Sequence, residues 1–161
     1  MTLTKNPYAW LLSLYRRPYH LAGKKPDTFL AFLQQPWPVV ARENYPHPQF
    51  QNPIELWNEK NRSYLRLQTF AQVLRVRYED LLASPERVIA QIADFVHLPQ
   101  PASFQNVARS TKGDPLDFAH YQRYYLHEEW RAKLSPAAIR TINAALDPAV
   151  VAAFRYTLLE A

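Results

Sequence analysis

The sequence predicts an α/β fold that is mostly helical and carries one or two strands. Three observations lead there. Five times an Asn, Ser or Asp precedes a proline at the head of an amphipathic stretch: Asn6-Pro7, Asn52-Pro53, Ser84-Pro85, Ser135-Pro136 and Asp147-Pro148. In each, the first side chain can accept a hydrogen bond from a first-turn N–H, and the proline has no N–H to leave unpaired and a φ already suited to a helix. The run QVLRVRYE, Gln72 to Glu79, alternates apolar and arginine positions between two helical stretches, as a half-buried strand does. Finally, TLT at residues 2–4 reads as the tail of another strand that feeds directly into the Asn6-Pro7 helix.

Taken in order, the elements are a strand tail at 2–4, a helix over 7–17, a helix near 27–34, and an irregular surface loop over 36–53. That loop carries Pro36, Pro38, Pro46, Pro48 and Pro53. A helix over 53–69, the strand at 72–79 and a helix over 85–97 follow. The last repeats Val88, Ile89, Ile92, Ala93, Phe95 and Val96 at three- and four-residue spacing and so predicts one buried face. Helices near 117–133, over 136–146 and over 148–156 close the chain. With 161 residues and 48% hydrophobic content, one domain is the expectation. A chain that opens in the last residues of a strand reads as cut, because an α/β domain normally supplies three or more strands to cover its helices.

Composition excludes several chemistries. No cysteine is present, which removes disulfides, zinc–thiolate sites and cysteine nucleophiles. The five histidines, His20, His47, His97, His120 and His127, show no H-x-H or H-E-x-x-H spacing, so no metal is expected. No apolar run approaches the roughly 18 residues that cross a membrane, and no leader pattern follows Met1, so a soluble, cytoplasmic chain with no membrane partner is expected. The net charge of +5 suits an anionic partner. A nucleic acid is not expected to be that partner, since no helix-turn-helix, zinc-finger or RNP signature occurs.

The segment KNPYAWLLS, Lys5 to Ser13, carries the chemistry. At a strand end Lys5 stands beside the N-terminus of the Asn6-Pro7 helix, where free N–H groups and the positive end of the helix dipole favour an anion. Ser13 lies two turns on, about 10 Å along the axis, and a lysine side chain spans much of that gap. One phosphate fits between the ammonium and the hydroxyl while Leu11 and Leu14 face the core. The same spacing also fits an ordinary capped helix with an exposed lysine and a surface serine.

The segment resembles the sulfotransferase superfamily motif in which an Arg-Asp-Pro or Arg-Asn-Pro at a strand end precedes a helix with a serine eight residues after the arginine. Lys5 stands at the arginine position, keeping charge but losing bidentate contact, and Ser13 at the serine position. LWNEKNRSYL, Leu56 to Leu65, is similar to the family's Trp-bearing helix through Trp57 and Tyr64, although core packing accounts for both aromatics. VRYEDLLASPERVIAQIADFVHLP, Val76 to Pro99, resembles its Tyr-Glu-Asp strand end, short proline turn and following helix. STKGD, Ser110 to Asp114, looks like the Lys-Gly loop that closes over a phosphate, where glycine lets backbone N–H groups approach an anion.

The resemblance implies a P-loop-NTPase-like sulfotransferase fold, N-terminally truncated, with its one or two remaining strands parallel. It implies a cofactor site for 3′-phosphoadenosine 5′-phosphosulfate, the sulfuryl donor, with no metal. Lys5, Ser13, Lys112 and Gly113 would hold its 3′-phosphate, Arg109 would flank that loop, and Tyr78 would lie near the adenine. The acceptor would be a hydroxyl or amine of a carbohydrate or small molecule, with Arg16, Arg17 and His20 in reach of an anionic one. The family's opening Pro-Lys-x-Gly-Thr-Thr loop and its base have no counterpart in the sequence, so no catalytic residue is assigned. A noncatalytic remnant that binds a nucleotide or a protein is the alternative. In either case helices 7–17 and 85–97 would be left with bare apolar faces, favouring self-association. The many Ala, Gln and Arg with no Cys read as a bacterial composition.

Overall fold

Asn6, Asn52, Ser135 and Asp147 cap their helices as their position before proline predicts. Their side chains accept from Tyr8 and Ala9, from Ile54 and Glu55, from Ala138, and from Ala149 and Val150, respectively. These caps come from a computed structural model that describes residues 1–19, 24–39, 46–100, 103–108 and 116–161. The helices they start are α1 (Pro7–Arg16), α3 (Pro53–Arg66), α7 (Pro136–Ala145) and α8 (Pro148–Ala153). Between them lie α2 (Phe29–Gln34), α4 (Tyr78–Ala83), α5 (Pro85–Phe95) and α6 (Phe118–Leu126), and the strands are β1 (Thr2–Thr4), β2 (Trp37–Pro38), β3 (Gln49–Phe50) and β4 (Arg75–Arg77).

β1 and β4 pair in parallel, with Thr2 opposite Arg75, Leu3 opposite Val76 and Thr4 opposite Arg77. Parallel pairing needs a crossover, and helices α1 to α3 supply it. Both strands therefore end on one edge, and the residues just beyond them, Lys5 and Tyr78, leave the sheet side by side. The core is built on α1, whose Tyr8, Leu11 and Leu14 are buried with Phe32, Ile54, Trp57, Trp130 and Ile142. Tyr8 stacks on Trp130 at 6.0 Å, and its hydroxyl accepts from the Leu159 N–H at 3.0 Å, tying the C-terminal segment to α1.

Four expectations need correction. The strand over 72–79 is only three residues long and gives way to α4, where a short turn with proline was expected. β1 offers three residues to pair with, and Glu79 and Asp80 in the first turn suit the helix dipole. Ser84 makes no side-chain cap: it closes α4, its N–H donating to the Asp80 carbonyl at 3.1 Å, and opens α5 in the same residue, with a ψ of 69° where the capping Ser135 has an extended 155°. Within 36–53, β2 and β3 form an antiparallel bridge, and Trp37 is wholly buried against Phe32, with ring centres 5.8 Å apart. The apolar face of α1 is covered. That of α5 is covered only in part among the described residues: Val88 is buried and Ile92 and Phe95 are half-buried, while Ile89 and, just beyond the helix, Val96 are 40% and 46% exposed.

Candidate anion-binding site

The two strand ends and α1 converge on one cluster. Lys5 Nζ donates to Ser13 Oγ at 2.9 Å and to the Tyr125 hydroxyl at 3.3 Å, and those two oxygens are 3.3 Å apart. Lys5 Nζ also lies 4.8 Å from the centre of the Tyr125 ring and 5.6 Å from that of Tyr78, with the two rings edge to face at 5.0 Å. An ammonium and two hydroxyls pointing at one spot can donate to an oxyanion, and the aromatic faces can take a planar ring.

The surroundings hold this cluster in place. Trp57 Nε1 donates to the Lys5 carbonyl at 3.2 Å, which orients the backbone at the end of β1. Thr4 Oγ1 donates to Asn61 Oδ1 at 2.5 Å, and Asn61 in turn donates to the Trp57 carbonyl at 2.8 Å, so α3 grips the strand end from one side. From the other side Glu79 accepts from the Asn6 N–H at 2.9 Å and from the Tyr156 hydroxyl at 2.8 Å. Of the Tyr-Glu-Asp run, Tyr78 thus faces the cluster and Glu79 fastens its frame, while Asp80 pairs with Arg155 at 2.8 Å nearer the surface. Burial pushes the Tyr78 hydroxyl far above the usual tyrosine range, with the neighbouring Tyr125 and Tyr121 and the Glu79 charge adding to it, so the ring is neutral at any ordinary pH.

The cluster opens into a cavity of about 780 Å³ lined by Lys5, Ser13, Tyr78, Tyr121 and Tyr125, with Trp10 and Lys60 on one flank and Arg16 and Arg17 at the α1 end. That is room for a nucleotide-sized ligand.

Three of the five residues expected to bind the nucleotide, Lys5, Ser13 and Tyr78, meet here. Lys112 and Gly113, with Arg109, lie outside the described residues, as does His20. Trp57 is core, as packing alone predicts, and Tyr64 lies partly buried beside Lys60. Three further residues were not singled out from the sequence. Lys60 and Asn61 share a helix with Trp57 and Tyr64, and the i, i+3 and i, i+4 spacing to those aromatics would have put them on adjoining faces. Tyr125 had no such signal, since it stands 120 residues from Lys5.

A cation-bearing cavity at the carboxyl ends of parallel strands defines an α/β protein of the kind that binds ligands beyond the strand ends. The sulfotransferase domain family matches residues 1–152 of the chain, which belongs to that family. No curated protein and no solved structure matches it. Among the described residues no helix is long and apolar enough to cross a membrane.

Proposed function

We propose that the cavity binds the sulfuryl donor 3′-phosphoadenosine 5′-phosphosulfate through its 3′-phosphate, in a protein that transfers the sulfuryl group to an acceptor hydroxyl or amine. The observation that carries this reading is the convergence of Lys5 Nζ, Ser13 Oγ and the Tyr125 hydroxyl within 3.3 Å of one another, at the end of a parallel strand, in a sulfotransferase-family chain. The donor fits the residues present: the cluster offers three hydrogen-bond donors to a phosphate, and the neutral Tyr78 ring offers a wall to the adenine.

Transfer forms a bond from sulfur to the acceptor oxygen or nitrogen and breaks the bond from sulfur to the 5′-phosphate oxygen, while a base takes the acceptor proton. The residues of the cluster act before that step. Lys5 and Ser13 bind and orient the far end of the nucleotide, and positioning of this kind contributes through lost freedom rather than through bond chemistry. Arg16 and Arg17, exposed at the α1 end of the cavity, suit an acceptor of negative charge.

The test is a thermal shift. Adenosine 3′,5′-bisphosphate at 100-fold over its dissociation constant stabilises the fold by about 2.7 kcal/mol, or about 5–10 °C for a chain of this size. Adenosine 5′-phosphate, which has no 3′-phosphate, leaves the melting temperature unchanged. Lys5→Ala and Ser13→Ala each reduce the shift; if both variants keep it whole, the assignment is wrong.

A further inference from the structure

Lys60 lines the same cavity from α3, and its surroundings are unusual for a lysine. Its ammonium lies 5.7 Å from the centre of the Trp10 ring and 5.8 Å from that of Tyr64, and among the described residues no carboxylate pairs with it. The acidic neighbour on its own helix is turned elsewhere: Glu59 is engaged by Arg62 and by Arg66. Burial, and then the charge of Lys5, pull its pKa below the usual lysine value. Two ammonium groups thus border one cavity, and the charge of Lys5 disfavours the charged form of Lys60. Among the described residues the two ring faces are what compensates the Lys60 charge, and they return less than a charge partner does.

We propose that Lys60 is a second ligand of the phosphate held by Lys5 and Ser13, reaching it from the α3 side. The inference rests on the proposed binding of a 3′-phosphate. A phosphate monoester suits the arrangement because it carries about −1.5 to −2 charges near neutral pH and three strong acceptor oxygens. One oxygen can take Lys5, another the Ser13 or Tyr125 hydroxyl, and the third Lys60, so the dianion offsets the repulsion between the two ammonium groups. A lysine kept only to pack between two rings would gain nothing from the ligand, and an unbranched apolar side chain would serve that place better.

The experiment is calorimetric titration of the wild-type chain, Lys60→Met, Lys60→Arg, Lys5→Ala and the Lys5→Ala/Lys60→Met double variant with adenosine 3′,5′-bisphosphate and with adenosine 3′-phosphate, alongside ligand-free melts. Lys60→Met is expected to weaken both nucleotides by about tenfold or more and by similar factors, and to melt no lower than wild type without ligand. Lys60→Arg keeps most of the affinity. The losses in the double variant fall short of the product of the single ones, as for two groups on one ligand. Unchanged affinity in Lys60→Met overturns the inference while leaving the proposed function standing. So does a loss confined to the bisphosphate, which would put Lys60 at the 5′ end, and so does a lower ligand-free melting temperature, which would make it structural. If the wild type binds neither nucleotide, the proposed function itself fails.

Discussion

Glu79 shows how much can rest on one side chain near the site. Its carboxylate receives the Asn6 N–H and the Tyr156 hydroxyl and lies 3.9 Å from Arg77 Nε, so it joins the start of α1, the end of β4 and the C-terminal segment. Burial, reinforced by the charge of Glu79, drives the Tyr156 hydroxyl far above its ordinary pKa, which keeps it a donor at every ordinary pH. Glu79→Ala leaves two donors without their acceptor and is expected to cost about 2–4 kcal/mol, read as a lower urea midpoint. On the proposed function it also weakens nucleotide binding, because the displaced Asn6 adjoins Lys5. The next residue gives the contrast. Asp80 meets an Arg155 side chain that is 72% exposed, and Asp80→Ala is expected to stay within about 1 kcal/mol of wild type. Equal costs for the two variants would contradict this division of the Tyr-Glu-Asp run.

Among the elements, the serines before proline make a matched pair. Ser135 caps α7 through its side chain on the Ala138 N–H at 3.2 Å, whereas Ser84, at the joint of α4 and α5, makes no such bond. Ser135→Ala should therefore lower stability by about 1 kcal/mol and Ser84→Ala by a few tenths at most, measured by chemical denaturation. The two look alike in sequence. What separates them is that α4 runs straight into Ser84, a helix that the alternation of Gln72 to Glu79 concealed because its first two residues also completed the strand pattern.

At the scale of the whole molecule, Asp147 links distant parts of the chain and titrates. Its carboxylate pairs with Arg62 of α3 at 2.5 Å while capping α8, and the Asn58 side chain accepts from its N–H at 3.1 Å. The Arg62 hydrogen bond, ahead of the α8 N–H groups, holds the Asp147 carboxyl below the usual carboxylate range. A carboxyl with a depressed folded pKa contributes stability that is complete above its unfolded value, near 3.9, and is lost as pH falls through the lower folded value. Asp147→Ser keeps a capping oxygen and removes the charge. The gap in melting temperature between wild type and this variant should be constant from neutrality down to about pH 5 and then close on further acidification. A gap that persisted at pH 2 would place the stabilisation outside the charge. Both partners are partly exposed, 37% for Arg62 and 27% for Asp147, so the effect should be at most about 1 kcal/mol.

The sequence by itself determined the elements whose signals are local. Four helix starts follow from a capping side chain before a proline, an interaction complete within four residues, and the Lys5 to Ser13 contact spans two turns of one helix. Together with the strand patterns at 2–4 and 72–79 they led to the α/β class, and they set Lys5 beside Ser13. The tertiary structure decided whatever depends on partners far along the chain: the truncation of the 72–79 strand to the three residues β1 can pair, the burial of Trp37 inside a proline-rich stretch, and the covering of α1 by the C-terminal segment. It also brought Tyr125 and Lys60 to Lys5. Tyr125 has no neighbour in sequence that foretells this, and for Lys60 the spacing to Trp57 and Tyr64 marks a helix face but not what that face meets, because long-range contacts arise from how helices pack and leave no periodic trace.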